Sequence, residues 1–316
     1  MSMIKRIEYL EKLKKWKDKN LIKVVTGIRR CGKSTLLELF IEYLKEEKID
    51  EEHIVSINLE SLEYNFSNYK DLYFYVVSKI KDDKKYYVIL DEIQNIEEFQ
   101  KAVDSLYIKK NVDIYITGSN AFLLSGELAT LLTGRYVKIK MLPLSFKEYV
   151  SALSGNNNYQ SLFLEYMKNG GMPGTISVLD LGINDINKYL DSIFSTVVFK
   201  DIMARNKITD KTILENIIKF ILENIVYLEL LRRGYRVYVG KVDDLKIDFV
   251  AENQGGLKYF QVSLTVRDAK VLERELRSLQ RTGDHYPKYL ITMDMDLSSD
   301  YDGITKINEI DWLLEK

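Results

Sequence analysis

The most informative stretch of the chain is Gly27-Ile-Arg-Arg-Cys-Gly32-Lys33-Ser34. It fits the pattern G-x-x-x-x-G-K-[ST], whose glycines let the backbone turn tightly enough for successive N–H groups to face a phosphate. The apolar, β-branched run Leu21–Thr26 comes before it, and apolar residues at helical spacing over Ser34–Lys45 follow it. A strand, this loop and a helix in that order predict a phosphate-binding loop, or P-loop.

The residue types in the loop suit a nucleoside triphosphate and its metal ion. We expect Lys33 to reach the β- and γ-phosphates and Ser34 to offer a hydroxyl to Mg²⁺. The start of the helix adds a partial positive charge at the same point. The predicted nucleotide-binding residues are Gly27, Ile28, Arg29, Arg30, Cys31, Gly32, Lys33, Ser34 and Thr35.

A second signal is the apolar strand Tyr86–Asp91, which brings a carboxylate pair, Asp91 and Glu92, to its end. In P-loop proteins such an Asp holds Mg²⁺, and a Glu beside it can act as the general base for the attacking water. We therefore expect Asp91 to be a metal ligand together with Ser34, and Glu92 to be catalytic. Alone, the pair could merely cap the next segment; its position after a P-loop favours the catalytic interpretation.

A third apolar strand, Val112–Gly118, ends in small polar residues. In P-loop ATPases with an extra strand between the P-loop strand and the Asp-Glu strand, this end lies beside the γ-phosphate. We expect Ser119 to sense that phosphate and position water, with Thr117 and Asn120 as alternatives. An ordinary exit from a strand into a turn is the other interpretation.

Two arginines are candidates for completing the site. Arg135 follows Gly134 and is predicted to stabilise transition-state charge, either within its own chain or from a neighbouring subunit. Arg205 is its rival, and a structural salt bridge is the competing interpretation for each. No Asn-Lys-x-Asp motif follows a strand, which favours ATP over a guanine nucleotide.

The composition bounds the class of protein. At 316 residues the chain is long enough for about two domains. Hydrophobic residues make up 46% of it, which excludes a disordered chain, and a net charge of -1 excludes a polycation that holds nucleic acid by bulk charge. One cysteine and two histidines exclude a disulfide framework and a Cys-rich zinc site, and leave little for a His-based metal centre.

Membrane and export signals are absent from the sequence pattern. No uncharged apolar run approaches the roughly 18 residues of a membrane span. The N-terminus turns charged at Lys5 and Arg6, without the apolar core of a secretory signal. We therefore expect a cytoplasmic protein with no membrane contact.

The order of patterns along the chain predicts two α/β parts. Strands and helices alternate through the first 150 residues, which predicts a mainly parallel, doubly wound sheet. The turn-rich stretch Ser151–Tyr159 marks a domain boundary. A helix over Ile217–Arg232 is followed by patterns in the order β-β-β-α-β. The predicted divisions are residues 1–150, 151–212 and 213–316.

Basic residues gather near the N-terminus, where Ile7, Leu10, Leu13 and Trp16 lie three apart. That spacing predicts a helix with one docked apolar face and a cationic remainder. The cationic face is either a contact for a DNA phosphate backbone or a plain solvated surface.

Three further sequence motifs follow in the order that is typical of one protein family. They are Leu-Thr-Gly-Arg at 132–135, Leu-Pro-Leu-Ser-Phe-Lys-Glu-Tyr at 142–149 and Gly-Gly-Met-Pro at 170–173. With the P-loop, the Leu-Asp-Glu-Ile-Gln turn and Ile-Thr-Gly-Ser-Asn, the chain resembles the prokaryotic AAA-type ATPases that have a C-terminal restriction-endonuclease-like domain of unknown function. The resemblance covers nearly the whole chain. It implies an AAA+ ATPase domain over 1–150, a helical lid over 151–212, a restriction-endonuclease-like domain over 213–316, and the use of ATP.

The chain departs from that family at two points. Members usually carry a winged-helix segment after the lid, but here residues 206–220 run directly into the helix over 221–229, so a duplex-reading helix is not expected. Nuclease cores of this kind use a helix Glu, a strand Asp and an acidic-x-Lys triplet. Glu223 and Asp248 match the first two positions, but Gln261-Val-Ser263 lacks the lysine, for which Lys246 is one substitute. We therefore expect this core to bind rather than cut; Arg274 and Glu275 stay unassigned.

The sequence thus predicts an ATP-binding, Mg²⁺-dependent ATPase of the AAA+ class that acts as a switch or motor. The alternative is an ATP-regulated nucleic-acid-binding module, and a metal-dependent nuclease comes third. DNA and further copies of the chain are the candidate macromolecular partners.

Overall fold

The computed structural model describes residues 4–119, 132, 134–153, 158–179, 211–295 and 299–315, with the backbone alone for 119 and 211–216. The chain divides into two compact units. The first comprises Met1–Pro143 with Met172–Gly174, and the second comprises Leu144–Gly171 with Thr175–Lys316. Each unit is built around a sheet of its own.

The first unit is a parallel sheet covered by helices. Its strands run in the spatial order β2-β3-β4-β1-β5, and every neighbouring pair is parallel. The predicted parallel sheet is therefore confirmed, with β4 inserted between the P-loop strand β1 and the Asp-Glu strand β3. The elements are α1 (Ile7–Trp16), β1 (Ile22–Gly27), α2 (Lys33–Glu46), β2 (Ile54–Asn58), α3 (Tyr69–Lys79), β3 (Tyr86–Asp91), α4 (Phe99–Tyr107), β4 (Val112–Ser119) and β5 (Tyr136–Met141).

Strand alternation distributes the apolar residues over two cores, one on each face of this sheet. Val24 of β1 packs in the core that contains residues of α3 and α4. Its neighbour Val25 packs in the core that contains residues of α1 and α2. Strands β1 and β3 are buried along their whole length, so neither alternates between apolar and polar residues; the buried Lys23 of β1 is paired with Asp113 of β4.

The predicted apolar face of α1 was wrong in part. Tyr9 and Leu13 are the buried residues of this helix, whereas Ile7 is exposed. Residues four apart share a helix face, while a spacing of three repeated over three turns drifts around the axis. One cation of α1 has local partners as well: Lys14 pairs with Glu11 and lies over the Tyr43 ring.

The second unit holds a mixed six-stranded sheet in the order β10-β11-β9-β8-β7-β6. Strand β7 is antiparallel to its two neighbours β6 and β8, while β8, β9 and β11 are parallel. Its elements are α5 (Phe146–Ala152), α6 (Tyr159–Asn169), α7 (Pro173–Ile176), α8 (Lys211–Arg232), β6 (Arg236–Val242), β7 (Leu245–Asn253), β8 (Gly256–Ser263), α9 (Ala269–Gln280), β9 (Lys288–Thr292), β10 (Ser299–Tyr301), β11 (Ile304–Asn308) and α10 (Glu309–Leu314). The first two residues of the short helix α7 belong to the first unit.

The structure adds to the predicted order of this unit at both ends. Strands β10 and β11 and helix α10 extend the predicted β-β-β-α-β pattern, which was incomplete because a three-residue strand carries almost no periodicity. Helices α5 and α6 pack in the core of this unit, with Phe146 and Phe163 beside Phe249. Most of the predicted lid, residues 180–210, lies outside the described residues, so the threefold division of the chain stays a prediction.

No helix among the described residues is both long enough and apolar enough to cross a membrane.

One buried carboxyl in the second unit is a liability for its stability. Glu309, at the start of α10, is completely buried, and its side-chain oxygens accept no hydrogen bond from any described residue. Burial raises the pKa of Glu309 well above its ordinary value, because the charged form loses its hydration.

We predict that this carboxyl makes stability fall as pH rises. The stability that the neutral Glu309 carboxyl contributes to the folded state is fully present below its ordinary pKa of 4.5. It is lost as pH rises through the raised pKa of the folded state. The free energy of unfolding should therefore fall by up to about 1.4 kcal/mol per pH unit in that window. Urea denaturation across the window should find this slope reduced in Glu309→Gln but unchanged in the exposed control Glu273→Gln. Equal slopes in wild type and Glu309→Gln would contradict it.

Candidate functional site

The candidate site lies where three parallel strands end at the same edge of the first sheet. The carboxyl end of β1, at Gly27, is paired with Ser119 at the end of β4. On the other side of β4, strand β3 ends at Asp91. Because parallel strands present their carboxyl ends together, the loops after β1 and β3 meet there.

The backbone of the P-loop depends on its glycines. A Cβ atom on Gly27 would lie 2.6 Å from the carbonyl oxygen of Met141 and 2.6 Å from the Cys31 sulfur, so no side chain fits. Gly32 has a φ of 98°, in the left-handed region that glycine adopts without strain. Cys31 itself is buried beneath the loop, where burial raises the pKa of its thiol. The sequence pattern therefore corresponds to a loop geometry that these residues require.

Arg6 anchors this loop from the buried side. Its guanidinium donates to the carbonyl oxygen of Cys31 at 2.9 Å and to that of Leu142 at 2.7 Å, so it joins the P-loop to the end of β5. The Arg6 side chain is almost wholly buried. The sequence did not predict this anchoring role, because an arginine just before a lysine-rich helix is ordinarily interpreted as part of a solvated surface.

Lys33 and Glu92 are in direct contact. The Lys33 ammonium lies 3.3 Å from Oε1 of Glu92 and 3.5 Å from the carbonyl oxygen of Ile28, and the lysine side chain is nearly buried. Lys33 is the first residue of α2, and Glu92 directly follows β3. The structure thus brings together the predicted phosphate-binding lysine and the predicted base.

Thr117 orients the carboxylate pair. Its hydroxyl donates to Oδ1 of Asp91 and accepts the backbone N–H of Glu92 at 3.0 Å. Gln94 donates a side-chain hydrogen bond to Oε2 of Glu92. Glu92 has a φ of 53°, a left-handed conformation that is strained for a non-glycine residue and is common at functional sites. The Leu-Asp-Glu-Ile-Gln string contained Gln94, but nothing in the sequence gave it a role.

The remaining predicted residues differ in position. Ser34 and Thr35 are partly buried in the first turn of α2, beside Lys33, while Ile28, Arg29 and Arg30 are exposed on the loop. Ser119 ends β4 next to Gly27, but its side chain lies outside the described residues, as do Asn120 and Arg205. The sensing role of Ser119 therefore stays a prediction.

Arg135 lies at the opposite edge of the sheet. Its carbonyl oxygen accepts the N–H of Ile22, the first residue of β1, so six residues of strand at about 3.3 Å each separate it from the P-loop. This separation argues against the predicted role within its own chain, and it leaves the role in a neighbouring subunit and the structural salt bridge as the alternatives. Its side chain pairs with Asp104 and lines an open cavity of about 530 Å³.

Comparison with known proteins agrees with this site. A family model described as an AAA domain matches residues 19–150, which include the P-loop and the Asp-Glu pair. An uncharacterized protein of Haemophilus influenzae is 33% identical over 403 residues, which cover 99% of this chain and 99% of that protein. The chain belongs to an AAA-domain protein family. Its AAA domain spans β1 to β5, and ATP binding is the property that this domain gives the chain.

Two further proteins are similar. The uncharacterized protein MJ1544 of Methanocaldococcus jannaschii is 31% identical over 206 residues, which cover 60% of this chain and 43% of that protein. The solved structure of the Walker-type ATPase PABY2304 of Pyrococcus abyssi has a TM-score of 0.39 at 15% identity, and covers 99% of this AAA-domain chain and 96% of its own.

The alignment with the Haemophilus relative is longer than this chain, which has 316 residues. That relative therefore contains residues without a counterpart here. The missing winged-helix segment stays a prediction.

We predict that Arg6 holds the P-loop in its binding geometry. Arg6→Met should leave buried carbonyl oxygens without a donor, which lowers the free energy of unfolding by about 1–3 kcal/mol. It should also weaken ATP binding, because the loop backbone loses its anchor to β5. Urea denaturation and ATP titration check both effects, with the exposed neighbour Lys5→Met as the control. Indistinguishable results for the two variants would refute the anchoring role.

Proposed function

We propose that this AAA-domain chain hydrolyses ATP with Mg²⁺ and uses the cycle as a switch or motor. The observation that supports the proposal is the convergence of Lys33, Asp91 and Glu92 at one sheet edge, with the lysine ammonium 3.3 Å from the Glu92 carboxylate. A structural ion pair alone would not require a P-loop backbone, a buried second carboxylate and a strained base in the same place.

The chain's own groups divide the work of the reaction. The loop N–H groups, the start of α2 and Lys33 neutralise phosphate charge. A phosphate competes with Glu92 for the Lys33 ammonium and so leaves the carboxylate available to water. Glu92 then takes a proton from the water that attacks the γ-phosphorus, while the bond to the β-phosphate oxygen breaks and ADP leaves. Gln94 and the N–H bond to Thr117 keep Glu92 oriented.

Two residues suit a hard cation. The Asp91 carboxylate is buried and is held by the Thr117 hydroxyl, and Ser34 offers a second oxygen in the first turn of α2. Mg²⁺ prefers such oxygen ligands and, when bound, neutralises charge between the β- and γ-phosphates. We assign Asp91 and Ser34 to this role.

Ser119 and Arg135 complete the proposed site from two directions. The backbone of Ser119 is paired with Gly27, the first residue of the P-loop, which supports contact with the γ-phosphate. Arg135 is half-exposed at the far edge of the sheet, which suits a guanidinium that enters the site of a neighbouring copy. The proposal therefore includes a homo-oligomer.

The C-terminal part has a proposed role of its own. We propose a helical lid over 151–212 and a restriction-endonuclease-like domain over 213–316 that binds rather than cuts, with DNA as the candidate partner. Helix α8 and strands β7 and β8 bring Glu223, Asp248 and the neutral Gln261 together in the second unit. This composition supports a non-cleaving core.

We predict distinct effects for two substitutions in the ATPase site. Lys33→Ala should lose ATP binding, because the phosphates lose their main cation. Glu92→Gln should keep binding but slow hydrolysis by about 10²–10⁴-fold, the usual contribution of a positioned base. ATP titration and a phosphate-release assay measure the two quantities, with the exposed Glu97→Gln as control. If Glu92→Gln hydrolyses ATP like wild type, Glu92 is not the base.

A mixing experiment tests whether Arg135 acts in a neighbouring subunit. Arg135→Ala and Lys33→Ala should each be inactive, whereas their mixture should recover part of the activity, since an intact loop then meets an intact arginine. Asp104→Asn removes the ion-pair partner of Arg135 but keeps the guanidinium, and should stay active. Loss of activity in Asp104→Asn equal to that in Arg135→Ala, without recovery on mixing, would indicate a structural salt bridge.

A further inference from the structure

The second unit contains a cluster of charged side chains that we call the polar centre: Lys219 and Glu223 of α8, Lys246 and Asp248 of β7, Gln261 of β8, and Arg274 and Glu275 of α9. Asp248, Gln261 and Glu275 are buried. Because strands and helices from different parts of the sequence meet here, only the fold assembles the cluster.

Lys219 lies among the three carboxylates. Its ammonium nitrogen is 3.9 Å from Oε1 of Glu223, 3.9 Å from Oδ2 of Asp248 and 3.6 Å from Oε1 of Glu275. Lys219 precedes Glu223 by one helical turn, so both side chains project from the same face of α8. No other described cation contacts all three acids.

The oxygens of the two buried acids already have donors. Asp248 accepts the N–H of Val262 at 2.9 Å through Oδ2 and pairs with Lys246 at 3.2 Å through Oδ1. Glu275 accepts from Gln261 at 2.8 Å through Oε2 and from Arg274 at 2.8 Å through Oε1. A metal ion would have to displace some of these donors.

The charges in the polar centre balance. Three carboxylates face three cations, Lys219, Lys246 and Arg274. Burial, and then the nearby Asp248 charge, raise the pKa of Glu223. Burial alone would lower the pKa of Lys246, but the carboxylates of Asp248, Glu223 and Glu275 together outweigh it and hold that pKa above its ordinary value. An added divalent cation would meet a centre that already has its positive charge.

The nuclease-like resemblance implies Mg²⁺ at this place, but the residues do not fit it. Mg²⁺ demands about six oxygens near 2.0–2.1 Å in octahedral order. Here an ammonium already sits between the carboxylates, the neutral Gln261 uses both ends of its amide on Glu275 and the Asp248 N–H, and the acids are hydrogen-bonded.

We propose that Lys219 is a built-in cation of the second unit, which replaces a divalent metal ion and makes the polar centre metal-independent. The inference deepens the proposed non-cleaving role of this unit and rests on it. Lys219 is distinct from Lys246, which the sequence offered as a substitute for the missing triplet lysine; the Lys246 side chain is 60% exposed and forms ion pairs with Asp248 and Glu223 but not with Glu275. Nothing in the sequence singled out Lys219, because a lysine one helical turn before a glutamate is the usual pattern of an exposed surface ion pair.

The test is the number of Mn²⁺ ions bound by the full, nucleotide-free chain, counted by electron paramagnetic resonance. Wild type and Glu223→Gln should bind the same number, since the polar centre contributes none. Lys219→Met should gain one Mn²⁺ ion, and the double variant Lys219→Met/Glu223→Gln should lose it again. The exposed control Lys270→Met should match wild type.

Two results would overturn the inference: a Mn²⁺ ion in wild type that Glu223→Gln removes, or a folded Lys219→Met that gains none. Should Lys219→Met fail to fold, the comparison of wild type with Glu223→Gln still decides, because a metal-binding centre must lose an ion there. Failure of the non-cleaving role has a different signature, namely DNA cleavage in Mg²⁺ that Asp248→Ala abolishes. Failure of the ATPase proposal would change neither readout.

Discussion

The contact between Lys33 and Glu92 depends on the strand order of the first sheet, and the candidate site depends on that contact. The lysine follows β1 and the glutamate follows β3, with β4 between them in the sheet. The ammonium and carboxylate can meet only because all three strands are parallel and end at one edge. Thr117, on the intervening strand, then holds the Asp91 carboxylate and the backbone N–H of Glu92. The fold therefore determines the spacing of the proposed catalytic groups.

Local sequence patterns predicted the parts of this structure that depend on neighbours in the chain. The P-loop, the parallel strands and the Asp-Glu turn fall in this class, because each needs only a few consecutive residues. Arg6, Gln94 and Lys219 could not be found in this way. Arg6 and Lys219 have partners that are distant in the sequence, and a charged side chain is ordinarily interpreted as solvated. Gln94 lies close to its partner Glu92, but nothing in the sequence indicates the contact. The sequence left open whether Arg135 acts within its own chain or in a neighbouring subunit, and only its position at the far end of β1 argues against the first role.

The two units use buried charges in opposite ways. Lys33 has two partners at 3.3 and 3.5 Å, a loose arrangement that a phosphate can replace. The acids of the polar centre accept hydrogen bonds at 2.8 and 2.9 Å from fixed donors, so their partners exchange with difficulty. Unpaired buried charges are costly, and paired ones keep their geometry. The first arrangement suits a binding site, whereas the second suits a fixed core.

The most direct test of the central claim is the rate of ATP hydrolysis by the full chain in Mg²⁺, measured over a range of protein concentrations with DNA absent and present. Hydrolysis without DNA, with a specific activity that rises with protein concentration, is the result that an ATPase completed by a neighbouring copy requires. ATP binding without turnover at any concentration, with or without DNA, would contradict the account and indicate a nucleotide-switched binding module instead.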